Sequence, residues 1–281
     1  MEAEFTAFHA IILGLVQGVA EYLPISSSAH LILLPRFLGV TDPGLGFDVL
    51  LHVGTLFATL AFFWRDWSGL ISDGWRHAWG DLRSLMGLRL PALVGRELPW
   101  FSVVLATVPA LVAGALLHGW VKTVFRGNAV MAVALVVGGV ALYAADRLTH
   151  GGRRLQKSTL RDYLWVGVAQ CFALVPGVSR SGSTLIGGRL AGLSREAAAR
   201  FSFLISAPVT LAAIVFELRH WDEIVASASG WQNLMLGTLA AFVAGWLAIG
   251  GLLKFLRRFG FLSFAVYRVI LAVAIVLVLG L

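Results

Sequence analysis

Tyr22-Leu23-Pro24-Ile25-Ser26-Ser27-Ser28 and Val175-Pro176-Gly177-Val178-Ser179-Arg180-Ser181-Gly182-Ser183 each cut an apolar region near its middle, 5–40 in the first case and 163–192 in the second. Pro, Gly and clustered Ser stop a helix. The half-helices left on either side hold only about 10–18 residues, short of the ~20 that cross a bilayer. Non-helical backbone at membrane depth persists only inside protein or beside a wet cavity. Both regions therefore read as re-entrant helix–loop–helix hairpins; two ordinary spans with a tight turn are the alternative.

Around them lie six uninterrupted apolar runs, 47–64, 99–121, 128–145, 201–218, 231–253 and 261–281. The 281 residues are 58 % hydrophobic with a mean hydropathy of +0.84. Only 13 % are charged, against ~25 % in a soluble domain. The expectation is an all-α integral membrane protein, one membrane domain over 1–281 with six transmembrane helices and two re-entrant hairpins. A soluble enzyme, a disordered chain and a disulfide scaffold are excluded. The single Cys171 has no internal partner and reads as an inert buried thiol. No Lys or Arg precedes Arg36, so no signal peptide is expected.

The net charge of +7 sits mostly in the gaps between apolar runs, a habit of membrane proteins and not of nucleic-acid binders. If both hairpins return to the face they enter from, the gaps at 65–98, 146–161, 189–200 and 254–260 share one face with 16 Lys and Arg. The other face carries Arg36, Lys122, Arg126 and Arg219. The richer face should be cytoplasmic, which puts both termini outside and the site within reach of the outer face. The two broken regions also match at an offset of 153: Gly14, Gln17, Ala20, Ser26, Ser28 and Gly39 fall on Gly167, Gln170, Ala173, Ser179, Ser181 and Gly192. Three spans separate the copies, so the second is inverted. The chain divides into a first repeat, 1–145, and a second, 146–281, with both hairpin tips near the midplane.

The chemistry gathers at those tips. Gln17 and Glu21 share one face of the first half-helix. A carboxylate at membrane depth is a functional candidate, with snorkelling to the surface as the plain alternative for Glu21. Ser26, Ser27 and Ser28 follow the break; one of them caps the next helix. His30 is a satisfied structural residue or, close to Ser27 and Glu21, the base for a nucleophile. At the second tip Gly177, Ser179, Ser181 and Thr184 surround Arg180. Small residues let backbone approach a ligand, helix N-termini offer N–H groups, and the guanidinium fork matches phosphate oxygens. The alternative for Arg180 is a structural ion pair with Glu21. Asp48 and His52 could hold a metal or steady the first hairpin. Arg268 reads as a lipid-phosphate ligand or as the partner of Asp48, with the choice open. Trp64, Trp67, Trp75, Trp79 and Trp100 read as interfacial anchors.

Gln17-Gly-Val-Ala-Glu21-Tyr-Leu-Pro24-Ile-Ser26-Ser27-Ser28-Ala-His30 resembles the first signature of the bacitracin-resistance type undecaprenyl-diphosphatases, and Pro176-Gly177-Val-Ser179-Arg180-Ser181-Gly182 resembles the second. The likeness covers essentially the whole chain. It implies an enzyme of the bacterial inner membrane that hydrolyses undecaprenyl diphosphate to undecaprenyl phosphate and inorganic phosphate. It further implies catalytic roles for Glu21, Ser27, His30 and Arg180 and a divalent cation, Mg²⁺ or Ca²⁺, on Glu21 and Gln17. The substrate contacts would come from Gln17, Ser26, Ser28, Gly177, Ser179, Ser181 and Thr184. Gln17 departs from the two-glutamate form of the motif and cannot act as a base. The Lys-x6-Arg-Pro motif of acid-phosphatase-like lipid phosphatases is absent. Either Ser27 attacks, or a water activated by Glu21 or His30 does. The partners implied are the lipid diphosphate and the bilayer; a homodimer stays open. The rival class is a transporter or flippase, whose architecture also uses inverted repeats and broken helices.

Overall fold

The computed structural model describes residues 4–86, 98–123, 127–149, 152–218 and 230–280. Arg89, Arg96, Arg126 and Arg219, used in the charge count, lie outside them. The described residues form eleven α-helices: α1 Ala7–Tyr22, α2 Ser27–Leu38, α3 Gly44–Phe62, α4 Trp64–Met86, α5 Trp100–Thr123, α6 Asn128–Leu148, α7 Leu160–Cys171, α8 Arg180–Leu190, α9 Arg195–Glu217, α10 Trp231–Leu256 and α11 Leu262–Leu279. Five of them, α5, α6, α9, α10 and α11, are long and apolar enough to cross a membrane, and α3 with α4 makes a sixth candidate. Only 28 % of Leu262–Leu279 and 33 % of Trp100–Leu117 is buried. The remainder turns Leu, Val and Ile outward, an area of apolar surface that only lipid tolerates. The chain is a multi-pass membrane protein.

The expected run 47–64 is α3, and the bend of the sixth candidate lies at its end. The axis turns by 76° between Gly46–Phe62 and Trp64–Ser84. α4 carries exposed Trp75 and Trp79 beside its arginines, with Arg83 over the Trp79 ring at 5.5 Å. This is the pattern of a helix lying in the interface, so the segment that follows the α3 span is an interfacial helix and not a loop. Cys171 is half-buried, more open than the apolar run around it suggests.

Both broken regions double back. Arg189, at the end of α8, donates from Nη2 to the Thr149 carbonyl at 2.8 Å, and the Arg153 N–H donates to the Gly192 carbonyl at 3.2 Å. The hairpin α7–α8 thus leaves on the face where it entered. In α1–α2, Phe5 and Val40 from the two outer ends share one apolar cluster with Phe47. Ion pairs then knit the arginine-rich segments together: Arg195 to Asp146 at 2.7 Å, Arg153 to Asp162 at 2.9 Å, Arg200 to Asp66 at 2.5 Å and Arg257 to Glu196 at 2.7 Å. All four gaps assigned to one face contribute to this belt.

The offset of 153 recurs in backbone geometry. Thr6 pairs with His9 at the start of α1 as Thr159 pairs with Asp162 at the start of α7. Ser26 and Ser179, preceding α2 and α8, have φ of 72° and 73°. Such left-handed values are uncommon for a residue with a Cβ. Gly39 and Gly192 end the two hairpins with φ of 66° and 85°. Packing follows the same exchange: α1 lies on α10 as α7 lies on α5, and α6 touches α8 as α11 touches α2. Gly14 and Gly167 permit the first pair of contacts, since a Cβ at either would strike the facing backbone at Gly237 or Ala106.

Candidate active site

The two tips meet. Ser181 Oγ, at the second, donates to the Leu23 carbonyl at the first, 3.1 Å away. Glu21, only 8 % exposed, is the hub of the junction. Its Oε1 accepts from Arg180 Nη2 at 2.7 Å. Its Oε2 accepts from Ser27 Oγ at 2.8 Å and from Gln17 Nε2 at 3.2 Å, and lies 3.4 Å from His52 Nε2. Four donors thus converge on one carboxylate. His52 Nδ1 faces the Asp48 carbonyl at 2.7 Å and must donate to it. Its Nε2 is thereby turned toward the Glu21 carboxylate.

Local structure explains the convergence. Glu21 ends α1 just before Pro24, and Ser27 begins α2 just after it. Tyr22 sets α1 against α3: its hydroxyl donates to the Thr55 carbonyl at 2.5 Å and lies 2.9 Å from Thr59 Oγ1. That contact carries His52, one turn earlier on α3, to Glu21. Arg180 is steadied from α9 by the Ser202 carbonyl, 3.1 Å from Nη1. Two of its five N–H groups are engaged by Glu21 and Ser202, leaving others to face an oxyanion. Ser28 is exposed and Ser27, His52 and Arg180 are half-buried, so these four are the reachable members of the site.

The other expected residues divide into two groups. Ser26 and Ser28 hydroxyls lie 3.2 Å apart, and Ser179 and Ser181 hydroxyls 3.1 Å apart, matching pairs at matching tips. Ser179 also caps α8 through the Gly182 N–H at 3.1 Å. Gly177 turns the second tip with φ of 96°. Thr184 is fully buried and bonds Ser202 Oγ at 2.6 Å, tying α8 to α9 behind the tip. His30 stands apart from Ser27. Its Nδ1 lies 2.7 Å from the Ser26 carbonyl and its Nε2 2.7 Å from the Tyr267 hydroxyl. The side chain that accepts the Ser27 hydrogen bond is Glu21. Arg268 is fully buried, and its hydrogen bonds go to main-chain carbonyls. His52 is the contributor whose place the sequence left undecided, because only the packing of α1 on α3 brings it to Glu21.

One observation bears on a cation. Gln17 Oε1 is buried beside Glu21 without a hydrogen-bond partner. Among the described residues no group of three or more His, Cys, Asp or Glu side chains is placed to hold a metal. Gln17 and Glu21 alone cannot complete the six or more oxygens that Mg²⁺ or Ca²⁺ takes, but they fit a cation whose remaining ligands come from phosphate and water. Next to His30, an apolar groove lined by Leu34, Phe37, Tyr267 and Ile270 runs between α2 and α11.

The family model described as bacitracin resistance protein BacA matches residues 10–274. Curated relatives extend over nearly the whole chain. The undecaprenyl-diphosphatase of Gemmatimonas aurantiaca is 45 % identical over 270 residues, 96 % of this chain and 97 % of that protein. That of Moorella thermoacetica is 43 % identical over 273 residues, 97 % and 98 % of the two chains. That of Idiomarina loihiensis is 41 % identical over 271 residues, 95 % and 97 %.

Proposed function

The chain belongs to the bacitracin resistance protein BacA family, and from that premise we infer that it hydrolyses undecaprenyl diphosphate to undecaprenyl phosphate and inorganic phosphate. Such a reaction returns the lipid carrier to peptidoglycan synthesis and opposes bacitracin. The carrying observation is that Glu21 joins Ser27 from one tip to Arg180 from the other. A nucleophile, a proton acceptor and a phosphate fork thus stand within one site.

Ser27 Oγ attacks the distal phosphorus in line with the bridging oxygen, and Glu21 takes the hydroxyl proton. The bond from phosphorus to the bridging oxygen breaks, and undecaprenyl phosphate leaves with the electron pair. Water then attacks the phosphoserine, restores the Ser27 hydroxyl and releases phosphate. Glu21 stays paired with Arg180 and His52. A loose phosphoryl transition state asks for little proton removal, and most of the catalysis is positioning and charge stabilisation. Arg180 and the N–H groups at the start of α2 and α8 supply that stabilisation. His30 holds the first tip through the Ser26 carbonyl. A divalent cation held by Gln17 Oε1, Glu21 and phosphate oxygens would neutralise charge on the diphosphate. The groove between α2 and α11 offers the prenyl chain a lipid-facing path.

The proposal includes the bacterial cytoplasmic membrane as location, with the arginine belt cytoplasmic, both termini outside and the site served from the outer face. It also includes the division into inverted halves, 1–145 and 146–281. One chain suffices, because Gln17, Glu21, Ser27, His52 and Arg180 meet within it. The test is purified protein in liposomes carrying undecaprenyl diphosphate. Release of inorganic phosphate supports hydrolysis. Lipid or anion crossing the bilayer with no phosphate released would assign the chain to transport instead.

A further inference from the structure

We propose that Arg268 is a positioning residue for the reaction, a clamp that sets the two tips in register. The proposal rests on the hydrolytic reading above. Arg268 lies in the second turn of α11 and is 0 % exposed. Its Nη1 donates to the Pro24 carbonyl at 3.2 Å, and its Nη2 to the Gly177 carbonyl at 2.8 Å. Its Nε donates to the Leu135 carbonyl at 3.0 Å and its Nη2 also to the Ala134 carbonyl at 3.2 Å. One guanidinium therefore joins the first tip, the second tip and α6.

A buried arginine inside a membrane protein is expensive, and packing alone would be served by leucine. What leucine could not do is span carbonyls on three separate segments; the planar fork with five N–H groups does. The two tip carbonyls are well chosen for alignment. Pro24 stands three residues before Ser27, and Gly177 three residues before Arg180. Each therefore fixes the start of the helix that carries one of the reactive side chains. The surroundings are cut to admit the guanidinium. A Cβ at Gly138 on α6 would collide with Nη2, and one at Gly182 on α8 would lie 2.9 Å from Nη1. Neighbouring Tyr267 holds the first tip as well, through His30. α11 thus fastens both hairpins without contributing a group to the reacting atoms.

Two variants test this, Arg268→Lys and Gly138→Ala, the second displacing the guanidinium from a position outside the site. Hydrogen exchange on peptides covering 22–28 and 175–181 reads the clamp without turnover. Both segments are expected to lose protection in both variants while α5, α9 and α10 keep theirs. Misplacement of catalytic groups by about 1 Å costs ~10²-fold, so kcat should fall by about that factor with KM little changed. The double variant should be no worse than either single one, because both remove the same clamp. If Arg268→Lys does not fold, Gly138→Ala alone decides. Unchanged protection at either tip, protection lost throughout the molecule, or full kcat in a folded variant would overturn the proposal. Wild-type protein that releases no phosphate would defeat the hydrolytic reading instead, and the exchange result would still stand on its own.

Discussion

Replacing Glu21 by Gln removes the acceptor on which the site is built. Gln17 Nε2, Ser27 Oγ, His52 Nε2 and Arg180 Nη2 all point at its two oxygens. A glutamine offers one oxygen and turns an NH₂ group toward the other donors. Arg180 keeps its charge in a mostly buried place and loses its counter-ion, a change that costs about 3–5 kcal/mol at full burial. Its side chain is 14 % exposed, so the lower end applies. Each further donor left facing a donor adds about 1–3 kcal/mol. Glu21→Gln should therefore melt several degrees below wild type in detergent, and its turnover should fall by about 10²-fold or more, because Ser27 and Arg180 lose the group that positions them. The double variant Glu21→Met with Arg180→Met removes both charges and should recover most of the stability while staying inactive. Thermal unfolding and phosphate release, measured on the same preparations, provide the readout. A Glu21→Gln protein with wild-type melting and turnover within tenfold would refute the idea that this carboxylate organises the site.

Arg180→Lys should leave the protein folded but lower kcat/KM by about 30-fold or more, the equivalent of one charge-assisted hydrogen bond of ~2 kcal/mol; turnover close to wild type would reduce Arg180 to a structural partner of Glu21. Gln17→Glu replaces a donor to Glu21 with a second carboxylate, so activity should survive only with divalent cation and saturate at lower Mg²⁺ or Ca²⁺; a titration unchanged from wild type would remove Gln17 from the cation proposal. With Cys171 replaced, cysteines at exposed Thr41 and Gln156 should be labelled from opposite sides of the membrane. Labelling of both from one side would undo the topology.

The hairpins were legible because a Pro or Gly among serines has no place inside an apolar helix, and the structure breaks α1–α2 and α7–α8 at those points. The arginine-rich face was legible because charge cannot be left in lipid. The repeat showed as six identities; at another pair of positions in the same offset, His9 and Asp162 share a capping role while differing in type. Long-range partnerships were not legible. Tyr267 reaches His30 across 237 positions, and the carbonyls that receive Arg268 carry no side-chain signal at all. His52 was noticed beside Asp48, but its contact with Glu21 depends on the Tyr22–Thr55 bond that fixes α1 on α3. The turn into α4 falls at Phe63, without Pro or Gly, where aromatic residues prefer the interface to the bilayer core.

The claim most exposed to test is that Ser27, oriented by Glu21, is the nucleophile. A lipid β-thiodiphosphate made chiral at the distal phosphorus with one heavy oxygen isotope, and turned over in water of another, leaves a chiral thiophosphate product. Each in-line displacement inverts the phosphorus. Attack by Ser27 followed by water inverts it twice, so the account predicts net retention; net inversion would show direct attack by water and contradict it.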